Sequence, residues 1–554
     1  MDDDYYDLGT YSRPITTNSA EAQLWFDRGL IWTYGYNHEE AIVCFETALE
    51  HDPECAMAHW GIAYAVGPNY NKEWDKFDPD DLQNSLNRAA DATAAAQALA
   101  PKVSLVEQAL IEALPARYPS REPVDDYQPW NDAFADAMRS VFRAFPDDLD
   151  VCTVFVEAIL NRTPWRLWDL PTGAIAENAG TEEAMEVMEK AFKELDYLGA
   201  NRHPGLLHLY VHLMEMSPFP ERALKAGDNL RDLVPDSGHL RHMPTHIDVL
   251  CGHYHAVVDG NHKAIVADRK YLEQRGFMNF YSGYRIHDYH FKIYGAMFLG
   301  QYQPAIEAAD ELIATTPEEL LRMESPPMGD FLEGYIPMKQ HALVRFGKWQ
   351  EIIDQELPAD QELYCSTTAM IHYAKSVAHA ASEDIPGAEA ERELFQAAYA
   401  RVPENRWVHN NTCRDILSVA EAMLEGELEY RRENYDIAFE HLREAVRRDD
   451  ALPYDEPWGW MQPPRHALGA LMLEQGRVEE AEAVYRADLG LDNSLSRASQ
   501  HPDNVWSLHG FHECLVRRGQ AAEAVMIKQR LDLASARADV PIKASCYCRL
   551  QHAA

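Results

Sequence analysis

Three features of the sequence predict an all-α chain, an α-solenoid of antiparallel helical hairpins. First, 554 residues exceed what one globular core usually reaches. Repeats that pack only on their neighbours resolve that problem. Second, small residues recur where two touching helices need them. The stretch RHALGALMLEQGRVEEAEAVYRADL, from Arg465 to Leu489, shows amphipathic period 3.6 on both sides of a glycine turn. Third, His208 and His212 are spaced i,i+4, and His242 and His246 repeat that spacing 34 residues later.

The elements follow in order. Residues 1–18 read as an N-terminal arm, and 19–540 as the repeat array. In its first repeat, Trp25, Gly29, Trp32, Ala41, Phe45, Ala48 and Pro53 occupy the seven signature positions of a 34-residue repeat. The small residues let two helices touch, the large ones fill the space between repeats, and the proline ends the second helix. On these residues the chain resembles the tetratricopeptide repeat (TPR) family, as a long member with histidine-rich middle repeats. The resemblance implies a TPR superhelix with a concave groove for ligands.

The same frame continues through Ala223, Leu230 and Pro235, then Gly252 and Ala264, then Gly300, Ala305 and Pro317. It returns at Asn434, Ala438 and Ala445, at Gly469, Gly476, Ala481 and Tyr485, and at Gly519 and Ala524. Insertions are expected near 115–129, 164–180 and 490–503, and a tail over 541–554 carries Cys546 and Cys548. About ten or more hairpins and essentially no sheet are expected. The tail reads as a cap, since no second thiol pair completes a tetrahedral metal site.

Composition removes several functions. The formal net charge is −40, which disfavours nucleic acid and anionic membranes as partners. The start has no basic and apolar leader, and no run of about 18 apolar residues occurs. Nine dispersed cysteines fit a reducing compartment, and a cytoplasmic location is expected. Phosphate loops, nucleophile elbows and HExxH motifs are absent from the sequence.

The histidines carry the functional expectation. In the TPR frame, His208 and His212 take groove positions 5 and 9, Glu215 position 12, and His242 and His246 positions 5 and 9. His287, His290 and Tyr294 take positions 2, 5 and 9 of the next repeat. Imidazoles at i and i+4 lie about 6 Å apart on one helix face, so two can converge on one cation. The predicted metal ligands are His208, His212, His242, His246 and His290, with Glu215 as ligand or base. Tyr294 and His287 join Glu215 as acid–base or substrate-orienting candidates. Pro244 lies between His242 and His246, so the helix is expected to begin near Met243 and leave His242 at its cap.

Imidazole with one carboxylate suits iron or copper, with zinc also compatible, as one ion or two. The expected function is a metal-dependent enzyme, of oxidoreductase or oxygenase type, acting on a small molecule in the groove. The aromatic segment Asn161–Asp169 is read either as a lid over that groove or as a loop anchored by tryptophan. The alternative function is a metal-free TPR scaffold that binds a peptide or protein, since fold alone does not settle function.

Overall fold

The structure, a computed structural model, describes residues 5–198 and 202–549. Helices follow one another from Ala20 to Ser535. Among the described residues, strand pairing is limited to isolated bridges and two short antiparallel ribbons, Trp168–Asp169 with Ala174–Ile175 and Trp407–Val408 with Asn411–Thr412. The first ribbon falls inside the insertion expected over 164–180. The second has no counterpart in the sequence reading, because two residues per strand are too few to show a period of two.

The chain forms two compact units, so the array expected over 19–540 is divided between them. One is Met1–Ile247 with Lys263–Arg285, the other Asp248–His262 with Ile286–Ala554.

In the first unit, local chemistry sets the opening hairpin. Ser19 caps the helix Ala20–Tyr34 by accepting the Ala22 N–H at 3.2 Å. Asn37 caps His38–His51 through the Glu40 N–H at 3.2 Å. Phe26, Ala41, Phe45 and Ala48 are fully buried. Gly29 and Gly61, on the helices before and after Phe45, press on its ring. A methyl group at either would stand 2.6 Å from it, so both positions need glycine. The N-terminal arm is anchored rather than loose. Tyr6 and Leu8 are buried, and Arg13 pairs with Asp148 and Asp150 at 2.7 Å each.

The second unit repeats the device. The predicted hairpin appears as Pro464–Glu474 and Val478–Asp488, followed by Val505–Arg517 and Ala521–Ser535. Gly469 and Gly510 press on the Tyr485 ring as the earlier glycines press on Phe45. Gly476 and Gly519 turn the chain with φ of 74° and 69°, a conformation that favours glycine. The tail packs inside this unit. Arg345 donates to the Ser545 carbonyl at 3.0 Å, and Arg549 pairs with Glu513 at 2.7 Å. Seven cysteines are free thiols, whereas Cys546 and Cys548 form a disulfide. Among the described residues, no helix is long and apolar enough to cross a membrane.

Candidate functional site

The site in the first unit is built on two histidine-bearing segments. The helix Pro204–Glu215 starts with proline at its first turn, where the missing N–H costs nothing. His203 caps it through the Leu206 N–H at 3.2 Å, and its other nitrogen lies 3.1 Å from Asp150. Every residue of this helix is buried.

The second segment runs as Gly238–His242 and then Pro244–Leu250. Met243 between them keeps helical angles, with φ −52° and ψ −40°. Pro244 therefore interrupts hydrogen bonding without redirecting the chain. His242 lies within the last turn of the first piece rather than serving as a cap for the second. The i,i+4 spacing survives: His242 Nε2 and His246 Nε2 stand 2.6 Å apart.

Hydrogen bonds on the far side of the rings set their tautomers. His208 Nδ1 donates to the Tyr34 carbonyl at 2.6 Å. His212 Nδ1 and His246 Nδ1 donate to the two oxygens of Glu215, at 2.9 and 2.8 Å. In each ring the lone pair is thereby left on Nε2. This is how proteins orient metal-binding histidines. Glu215 is fully buried behind the imidazoles, with one ring on each oxygen, and positions them.

His208, His212 and His239 bring one ring nitrogen each within 4.8 Å of one another. His208 Nε2 and His239 Nε2 are 3.1 Å apart. With metal–nitrogen bonds of about 2.05 Å, that separation corresponds to a ligand angle of about 98°, between octahedral and tetrahedral values. The 2.6 Å gap between His242 and His246 would demand about 79°, which is too acute, and suits an N–H···N hydrogen bond instead. Without an ion, the 3.1 Å contact is also such a bond, with the proton on His239 Nε2. His212 Nε2 and His239 Nδ1 are buried and have no hydrogen-bond partner. A proton shift to His239 Nδ1 exposes the Nε2 lone pair without changing the charge.

Burial pushes the His208 imidazolium down to about 3. Burial first, and neighbouring imidazoles second, hold His212 and His239 well below the ordinary histidine range. These rings are neutral at neutral pH, the state that binds metal. Aromatic rings surround them. Tyr36 lies 4.6 Å from His208 and stacks on His212 and His239 at 5.9 and 5.5 Å. Tyr70 and Trp165 lie 4.8 and 5.8 Å from His212, and Tyr284 lies 4.8 Å from His239. Trp165 belongs to the insertion read as lid or anchor. Trp168 of that insertion donates its indole N–H to the Leu213 carbonyl at 2.7 Å, so the segment is tied down as well as placed against the histidines. Tyr36 and Trp165 both adopt φ of 56°, a strained angle for a bulky residue.

Within the first unit, the structure therefore assembles His208, His212, His242, His246 and Glu215. It adds His239, which was not among the residues expected from the sequence. The i,i+3 pair His239–His242 was the available signal.

His287, His290 and Tyr294 fall in the second unit. His290 is buried with neither ring nitrogen partnered, 5.9 Å from the His287 ring and 5.1 Å from that of Tyr335. The Tyr294 hydroxyl donates to His501 Nε2 at 3.1 Å, and His501 Nδ1 donates to Asp488 at 2.9 Å. Asp488 also binds His466 at 3.0 Å and Ser507 at 2.6 Å.

No protein-family model matches the chain, and no curated protein matches it. It is similar to a chain of the APC/C hetero-tetramer Cut9–Hcn1, with 12% identity over 91% of this chain and 78% of that one, at a TM-score of 0.30. It is similar to yeast Tom70, with 12% identity over 92% and 98%, at 0.28. It is also similar to the P58(IPK) TPR domain, with 13% identity over 77% and 99%, at 0.17. Scores this low carry no weight by themselves. What the chain's own structure shows is the fold, a run of helical hairpins with glycines packed against large rings between them.

Proposed function

We propose that this protein is a TPR-type helical scaffold that holds a transition-metal ion in its first unit, on His208, His212 and His239. One observation supports this above the rest. Three neutral, buried imidazoles converge within 4.8 Å, and two of them are fixed in the metal-binding tautomer by Tyr34 and Glu215. Three protein ligands leave coordination positions open, as catalytic metal sites do. His242 and His246 stand beside them as a second, hydrogen-bonded pair. The donor set contains imidazoles and no thiolate, which suits iron, copper or zinc. Oxidoreductase chemistry on a small molecule is the further step of this proposal, with the open positions as the place where a substrate atom binds.

Protein purified without a polyhistidine tag, then offered iron, copper and zinc, is expected to retain about one equivalent of one of them. Retention far below one equivalent for all three would sink the metal reading.

A second reading is a metal-free scaffold for a peptide or protein, and a separate feature favours it. A cleft of about 250 Å³ in the first unit is lined by Asn37, Asn69, Lys72 and Arg88, together with Glu39 and Asp81, the latter paired with Lys72 at 2.6 Å, so a peptide carboxylate would have to displace Asp81 from the lysine. Asparagine, lysine and arginine are the side chains suited to a peptide carboxylate. A protein that takes up no metal but binds acidic C-terminal peptides, and loses them on Lys72→Ala, would establish this reading in place of the first.

A further inference from the structure

Beside the histidines lies a group of buried polar atoms that the protein itself does not satisfy. Glu157 and Asn161 stand one turn apart at the end of the helix Leu149–Leu160. One Glu157 oxygen accepts the Tyr64 hydroxyl, and the other has no close partner, although the Tyr36 hydroxyl is near enough to bond the same carboxylate. Neither polar atom of the Asn161 amide has a partner. The Tyr36 hydroxyl has no close partner either, and the Tyr284 hydroxyl has none. All four side chains are at least nine-tenths buried, with exposures of 5%, 6%, 4% and 9%. Buried polar atoms in folded proteins are nearly always paired, and leaving one empty is destabilising. The three such atoms on Asn161 and Tyr284, beside the loosely paired Tyr36 and Glu157, therefore mark a place where something else binds.

The group adjoins the proposed metal site. Tyr36 packs on His208, His212 and His239, and Tyr284 packs on His239. Tyr36 also lies within electrostatic reach of Glu157, Tyr284, Tyr64 and Tyr70. Tyr36 and Tyr284 also line the 250 Å³ cleft. The chamber's side chains are buried, which disfavours a charged guest, and burial raises the Glu157 carboxyl above its usual range against the pull of Arg117.

We infer that Tyr36, Glu157, Asn161 and Tyr284 form the substrate chamber of the proposed metal site, and that it takes a small, neutral, planar molecule bearing hydroxyl or carbonyl groups. Aromatic rings wall it, which selects a flat guest. Two phenol hydroxyls donate, the Glu157 oxygen accepts, and the Asn161 amide does both, which selects an oxygenated guest. This inference rests on the metal reading for its chemistry but not for its binding, so the two are tested separately.

The test uses 4-methylcatechol, with toluene as its counterpart lacking hydroxyls. Calorimetric titrations are run on the full chain, metal-free and loaded with Co(II). Wild-type protein is expected to bind the catechol in both forms, at least tenfold more tightly than toluene, with a change in the Co(II) visible bands in the loaded form. Asn161→Leu and the conservative Tyr284→Phe are expected to weaken catechol binding about tenfold or more in both forms. A site built to hydrogen-bond a hydroxyl loses most when that bond is lost. Asn161→Leu is also expected to leave the unliganded melting temperature unchanged or raised, since an unpaired buried amide is replaced by an apolar group. A merely structural amide would lower it. Catechol affinities within twofold of wild type in both variants would overturn the inference, as would no catechol binding by the wild type. Failure to take up Co(II) counts against the metal proposal alone, because the metal-free titrations still decide this one.

Discussion

Removing Glu215 tests the way the site is held together. Its two oxygens accept the Nδ1–H of His212 at 2.9 Å and of His246 at 2.8 Å, in full burial. Glu215→Ala strips both rings of the partner that fixes their orientation and their tautomer. His212 can then place its proton on Nε2, the nitrogen whose lone pair the Glu215 bond leaves free for a metal. Losing such a supporting group weakens metal affinity about 10–100-fold, or about 1.4–2.7 kcal/mol. The fold also loses stability, because two buried N–H donors are left unpaired at about 1–3 kcal/mol each. Glu215→Gln behaves differently. Its single oxygen keeps the bond to His212 while its amide faces His246, so its metal affinity is expected to stay within about tenfold of wild type. Competition for Zn(II) against a chromophoric chelator gives the affinities, and urea unfolding of the metal-free proteins gives the stabilities. Zinc binding by Glu215→Ala within threefold of wild type would refute the positioning role. The reverse order, with glutamine worse than alanine, would refute the tautomer argument.

Three further outcomes are expected. His208→Ala removes most bound metal while circular dichroism stays helical, and an unchanged metal load in that variant would exclude His208 as a ligand. The metal-free protein loses stability as pH falls below about 6.5, because the unfolded chain takes up protons on His208, His212 and His239 while the folded rings, with lowered pKa values, do not. The loss is about 1.4 kcal/mol per pH unit for each ring, continues for His208 until about pH 3, and is read by urea unfolding at pH 7.5, 6.5 and 5.5; a flat profile contradicts it. Phe45→Ala costs about 3–5 kcal/mol, since its fully buried ring fills the space left by Gly29 and Gly61; a thermal shift of under about 1 °C would show that the contact is dispensable.

The repeat architecture was legible because its signature is written in residue size. Gly29, Ala41, Phe45 and Ala48 sit where their volumes require, and the hairpin around Gly476 closes where its period breaks. The division into two units was not legible, because each repeat contacts its neighbours in the same way wherever a boundary falls. For the site, the i,i+4 pairs gave four of the imidazoles, since helix geometry alone puts them on one face. His239 was passed over because its role depends on which ring it meets across two segments. The supporting role of Glu215 was hidden for the same reason: a carboxylate three residues after a histidine reads equally well as ligand, base or anchor. Pro244 misled in the other direction, since Met243 keeps helical angles and carries the turn across it.

The glycine-flanked rings have a mechanical consequence. Phe45 is shared by Gly29 and Gly61, and Tyr485 by Gly469 and Gly510, so in each unit one side chain rivets three successive helices together. Under tension, neighbouring hairpins at such a joint cannot slide past one another by degrees. They hold until the ring is pulled clear of both glycines, then part at once, and stretching a single molecule would show these joints as discrete rips in the force trace.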